Sequence, residues 1–208
     1  RKNTGFFRTL FYAPAIVGTG VAVAVMWRAI LSSDGLLNQV LEVVGIGPFN
    51  WLTDPGIALY SLILASMYGF PGAMIIFLAG LKNIPATMYE AARIDGAKSI
   101  KRFIHITLPL LSPVIFFNAV MGIINGFQTF TIGYVVFGSG SNLGGPLGSA
   151  MFYMINLYQN AFVYHKAGYA SALAWILFVI ILFFTILVFR SSDLWVFYES
   201  NVKENRKR

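Results

Sequence analysis

The sequence predicts an all-α integral membrane protein, a helical bundle with four transmembrane helices in this chain. Two observations lead there, and a third narrows the chemistry. Of 208 residues, 57% are hydrophobic and only 11% are charged, whereas a soluble domain carries roughly 25% charged residues. The apolar residues fall in long uncharged runs divided by short basic segments, so the net charge of +7 reads as membrane topology and not as a nucleic-acid surface. There is no cysteine, which removes disulfides and thiolate metal sites from consideration.

A span needs about 20 apolar residues at 1.5 Å each. The first is read at Thr9 to Trp27, 19 residues between Arg8 and Arg28, with Phe6, Phe7, Phe11, Tyr12 and Trp27 as interfacial aromatics. The chain opens on Arg1 without a methionine, so preceding segments are expected. Ser32 to Gly56 carries Asp34, Glu42 and Asp54 among turn signals and reads as an aqueous loop with a short amphipathic helix at Leu36 to Val44. The second span is Ile57 to Leu81, 25 uncharged residues broken at Gly69-Phe70-Pro71-Gly72. A proline there frees a carbonyl that lipid cannot satisfy, so the break belongs against protein or a wet cavity.

A charged segment follows. Pro85 suits the first turn of a helix, with Asn83 or Thr87 near its start. Ala86 to Ile94 is rich in helix formers, and Gly96 falls where a left-handed C-terminal cap belongs. Ser99 opens a second short helix that is expected to end before Leu108-Pro109. The result is a compact helix, glycine turn and helix over residues 83–109, between two hydrophobic spans.

From Ile106 to His165 no Asp, Glu, Lys or Arg occurs. That run holds a third span at about Leu108 to Phe130, a glycine-rich turn over Gly138 to Gly148, and an aromatic segment, Ala150 to Tyr164, too brief to cross and expected at the membrane interface. The last span is Ala167 to Phe189, and a polar tail ends in Arg206-Lys207-Arg208. Four spans put both termini on one side. That side collects 13 of the 15 Lys and Arg residues and leaves only Arg28 and Lys166 opposite. By the positive-inside rule both ends and the 82–105 loop are cytoplasmic.

The charged segment reads EAARIDGAKSIKRFIHITLP from Glu90 to Pro109. Glu90, Ala91, Ala92, Gly96, Ile106, Leu108 and Pro109 complete the signature loop of a known family. The chain resembles the membrane-spanning permease subunits of bacterial binding-protein-dependent ABC importers, and within them the carbohydrate group that includes the maltose and glycerol-3-phosphate systems. Gly144-Gly145-Pro146 and Gly168-Tyr169-Ala170-Ser171-Ala172 support the likeness, which covers essentially the whole chain. Relatives of this kind carry two further spans before Arg8-Thr9-Leu10.

The resemblance implies a single transmembrane domain over 1–208 in the bacterial cytoplasmic membrane, surrounded by lipid and without nucleic acid. It implies a heterodimer with a second permease, two ATPase subunits that bind ATP and magnesium, an extracytoplasmic solute-binding protein, and a sugar as cargo. This chain would hold no cofactor or metal itself. The signature loop would seat in a cleft of the ATPase, where Glu90 and Asp95 meet basic groups, Ala91 and Ala92 permit close approach, and Gly96 supplies the turn. Substrate contacts are expected at Tyr68, Gly69 and Gly72 of the broken span, at Gln128 and Thr129, and at Thr19 of the first span.

Other classes fit less well. No G-x-x-x-x-G-K-[ST] occurs, so the energy must come from another chain. A secondary transporter or channel would place ionisable groups inside its spans, and none of the four expected spans holds Asp or Glu. A membrane enzyme needs convergent catalytic groups, and His105 has no second His, Cys or paired carboxylate at metal spacing. Glycerol-3-phosphate or another non-sugar solute is the alternative cargo.

Overall fold

A computed structural model describes residues 20–138 and 143–197. Most of the predicted first span, including Thr19, lies outside those residues, as do the centre of the glycine-rich turn and the basic tail. The described residues form helices and turns with no strand among them. In chain order the helices are α1 (Val21–Ile30), α2 (Leu36–Val43), α3 (Ala58–Ser66), α4 (Phe70–Lys82), α5 (Ala86–Ile94), α6 (Ser99–Arg102), α7 (Leu108–Phe127), α8 (Thr131–Phe137), α9 (Tyr153–Tyr158) and α10 (Ala167–Trp195). Two stretches are long and apolar enough to cross a membrane, Ser99–Phe137 and Ala167–Trp195. Val21–Ile30 and Gly72–Lys82 are shorter apolar helices.

Several boundaries differ from the sequence reading. Helix α1 runs past Trp27 and takes Arg28 into its last turn. The second span is interrupted at Met67–Gly69, a 3-10 turn just before the expected break. Pro71 is then the second residue of α4, where its missing N–H costs no ladder bond. The third span stops at Phe127, and the residues after it form the unpredicted helix α8. Helix α10 continues six residues beyond Phe189, because Arg190 and Asp193 lie in the last turns of the helix without interrupting it.

The chain divides into two compact units with boundaries after Pro71, Asn125 and Phe178. The first is centred on Ala24, Ala58, Leu62, Val136, Phe137 and Ala150, with Leu52, Ile132, Val135 and Phe152 packed around them. Here α1 lies against α8. Gly133 lets the aromatic segment approach, since a Cβ there would stand 2.7 Å from Ile155 Cδ1. The loop between α1 and α3 is folded around Asn38 of α2. Its amide donates to the carbonyls of Ser33 at 2.8 Å and Phe49 at 2.9 Å, and its oxygen accepts from Phe49 N–H at 3.1 Å and Trp51 Nε1 at 2.8 Å.

The second unit holds Gly72–Asn125 together with the chain from Val179 onward. Gly80 of α4 meets α7 closely, with Val114 Cγ2 at 2.7 Å and Leu111 Cδ1 at 2.9 Å from the position a Cβ would take. Phe116 of α7 packs edge-on to Phe189 at 5.0 Å and against Trp195 at 6.2 Å. The charged segment belongs wholly to this unit.

Candidate functional site

Helix α5 starts one residue after Pro85, which is itself the N-cap in extended backbone with no side-chain cap. It ends at a Schellman cap. Gly96 takes φ +71°, its N–H donates to the Arg93 carbonyl at 3.1 Å, and the Ala97 N–H donates to the Ala92 carbonyl at 2.9 Å. Gly96 is therefore required by backbone conformation, and the space around its missing Cβ is open.

No residue of α5 is buried. Glu90, Ala91 and Asp95 are exposed and Ala92 is half-buried. Ile94 is 88% exposed and Ile100, in the second arm, 74%. The tip thus combines a bare apolar surface with acidic Glu90 and Asp95 and basic Arg93 and Lys98. A brace closes its base: the hydroxyls of Tyr89 and Thr107 lie 2.9 Å apart, and Thr107 is buried.

The second arm does not end before Leu108-Pro109. Helix α6 passes through a π turn, Phe103–Thr107, directly into α7, with the Leu108 N–H reaching the Phe103 carbonyl. The widened turn makes room for the Pro109 ring against the preceding carbonyls, so the proline does not stop the helix. Ile106 is half-buried in that turn, Leu108 is exposed and Pro109 half-buried. Pro113 lies inside α7 and cannot donate to the Pro109 carbonyl. The Ser112 hydroxyl donates to that carbonyl at 2.6 Å and accepts the Phe197 N–H at 2.8 Å. A push on the tip would therefore be carried by continuous helix.

The residues expected to meet solute are placed as follows. Tyr68 is half-buried in the 3-10 turn, its ring edge-on to Trp27 at 6.4 Å. Gly69 closes the same turn, and Gly72 is an exposed position of α4. Gln128 is exposed in the turn after α7, and Thr129 is half-buried with its N–H 3.4 Å from the Gly126 carbonyl. Tyr68, Gly69, Gln128 and Thr129 belong to the first unit and Gly72 to the second. No group of three or more His, Cys, Asp or Glu side chains able to hold a metal occurs among the described residues.

Sequence reasoning missed Tyr89, Thr107 and Ser112. Pro113 was a usable signal for Ser112, because a proline four residues after Pro109 strands a carbonyl that a nearby hydroxyl can satisfy. Nothing in the sequence paired Tyr89 with Thr107.

A family model described as the binding-protein-dependent transport system inner membrane component matches residues 4–194. The probable ABC transporter permease protein YesP of Bacillus subtilis (strain 168) is 49% identical over 200 residues, which cover 96% of this chain and 64% of that protein. The arabinooligosaccharides transport system permease protein AraP of the same organism is 34% identical over 194 residues, 92% of this chain and 60% of that one. A crystal structure of a bacterial alginate ABC transporter, in complex with its alginate pentasaccharide-bound periplasmic protein, is similar with a TM-score of 0.77 over 90% of this chain and 64% of that one. At 22% identity that likeness concerns the fold. The chain spans less than two thirds of the length of both curated relatives.

Proposed function

The chain belongs to the family of binding-protein-dependent transport system inner membrane components, and from that premise we propose that it acts as a permease subunit of an ABC importer for sugars or oligosaccharides. The observation that carries the reading is the exposed knob formed by α5, the Gly96 turn and the continuous arm from α6 into α7. An apolar and charged tip, held on a stiff base, suits a socket on a moving partner. Glu90, Ala91, Ala92, Asp95, Gly96, Ile106, Leu108 and Pro109 form the element that meets an ATPase subunit. ATP and magnesium are bound there and not in this chain. A second permease completes the membrane part, and an extracytoplasmic binding protein delivers solute from the side opposite the knob.

Both compact units then belong to one transmembrane domain of the bacterial cytoplasmic membrane, with residues 82–105 and both chain ends facing the cytoplasm. Solute passes Tyr68, Gly69, Gly72, Gln128 and Thr129, and Thr19 of the first span. Hydroxyls and amides near aromatic rings suit a neutral sugar, and the likeness to AraP, an arabinooligosaccharides transport system permease, supports an oligosaccharide.

The test is co-purification. The full-length protein is expressed with its candidate ATPase and partner permease, solubilised, and compared with the Gly96→Phe variant. Association and ATP hydrolysis that the substitution weakens support the reading. A wild-type protein with which no ATPase associates overturns it.

A further inference from the structure

The end of the last helix is fastened to the base of the knob by one side chain. Ser112 is buried at the start of α7, with its hydroxyl engaged twice: it donates to the carbonyl of Pro109, the last residue of the signature loop, and accepts the N–H of Phe197, two residues beyond α10. Pro113 leaves that carbonyl without its helical donor, and the Ser112 hydroxyl takes that place. The second bond joins residues 85 apart in sequence. One turn further along α7, Phe116 holds Phe189 and Trp195, so the end of α10 is gripped by ring packing as well as by the hydrogen bond. Val196 and Ser192, which flank this junction, are also buried. On the other side of the loop, the Tyr89–Thr107 bond ties α5 to the same helical arm.

We propose that Ser112 is a positioning residue that makes the C-terminal end of α10 move with the coupling knob. This rests on the importer reading and extends it: displacement of the knob by the ATPase is delivered to the last helix directly as well as to α7. Ring packing alone allows the helix end to slide along α7. The hydrogen bond fixes its register, because a single N–H meets a single buried oxygen. Ser112 is suited to the task because its oxygen is already oriented by the Pro109 carbonyl, so its free lone pair faces one direction.

The experiment measures a distance in the assembled importer. The chain has no cysteine, so Ile100→Cys in the knob and Leu194→Cys at the end of α10, both strongly exposed, are spin-labelled in a complex with cysteine-free partner subunits. The distance distribution between the labels is recorded without nucleotide and with ATP and magnesium. The wild-type background is expected to show one narrow distribution that nucleotide leaves unchanged. Ser112→Ala is expected to broaden it roughly twofold when nucleotide binds, while the ATPase still co-purifies, and Ser112→Thr to restore it.

Phe197→Pro, compared with Phe197→Ala for the lost ring, removes the N–H donor outside the helix. It is expected to reproduce the Ser112→Ala effect and to add nothing in the double variant. It keeps the test open if Ser112→Ala fails to insert. A wild-type distance that itself shifts with nucleotide, or variants that behave as the wild type, overturns the latch and leaves the importer reading standing. Failure of any ATPase to associate with the wild type overturns both.

Discussion

Tyr89 and Thr107 stand 18 residues apart and on opposite arms of the knob, yet their hydroxyls meet at 2.9 Å. Thr107 is buried, so the bond closes the base of the knob away from water. Tyr89→Phe keeps the ring and removes the bond, and should destabilise the base by about 1 kcal/mol. Hydrogen exchange over residues 86–94 should quicken while the rest of the second unit is unchanged. Equal protection in both proteins would mean that the brace contributes nothing.

Gly96 separates a conformational cost from a steric one. Its φ of +71° penalises any side chain, while no atom lies within 4 Å of an added Cβ. Gly96→Ala should cost the isolated chain about 1–2 kcal/mol, and Gly96→Asn, which tolerates the left-handed region, should cost less. If both nevertheless lose the ATPase in pull-down, the open space at Gly96 is filled by the partner.

Gly80 is the close point between α4 and α7. Gly80→Ala should overpack the contact with Val114 and Leu111 and cost about 1–3 kcal/mol. Val114→Ala in the same chain should recover most of the loss, read as the thermal midpoint in detergent. No recovery would show that the helices separate and do not repack.

Asn38 is 2% exposed, and both ends of its amide are engaged. Asn38→Leu leaves the Phe49 and Trp51 donors and the Ser33 and Phe49 carbonyls of this partly buried network without their partner. The expected loss is about 3 kcal/mol. It should appear as proteolytic cleavage confined to residues 32–56.

The topology expected from the charge bias is checked with two cysteines in this cysteine-free chain. Ile94 and Val43 are each 88% exposed. Ile94→Cys should react with an impermeant maleimide only in inverted vesicles, and Val43→Cys only in right-side-out ones. The opposite pattern would reverse the orientation and place the knob away from ATP.

The knob was legible in the sequence because its signals are local. Pro85 and Gly96 bracket Ala86–Ile94, and those bounds are the ones the helix takes. The amphipathic α2 was legible for the same reason, to within one residue. Helix α8 was not. Thr131–Phe137 is short, uncharged and rich in β-branched and aromatic residues, which favour helix weakly by themselves. Its packing against α1 supplies what propensity lacks.

By itself the sequence determined the membrane class, the sidedness expected from its basic residues, and the glycine turn of the knob. Each depends on composition or on neighbours a few residues away. Only the tertiary structure decided that Pro109 continues a helix, that Tyr89 meets Thr107, and that Ser112 holds Phe197. A proline in sequence reads as a stop because it removes an N–H and crowds a carbonyl. At Pro109 the helix survives through a widened turn before it, and at Pro113 through the Ser112 hydroxyl, which takes up the freed Pro109 carbonyl. That hydroxyl's second partner arrives from the far end of the chain.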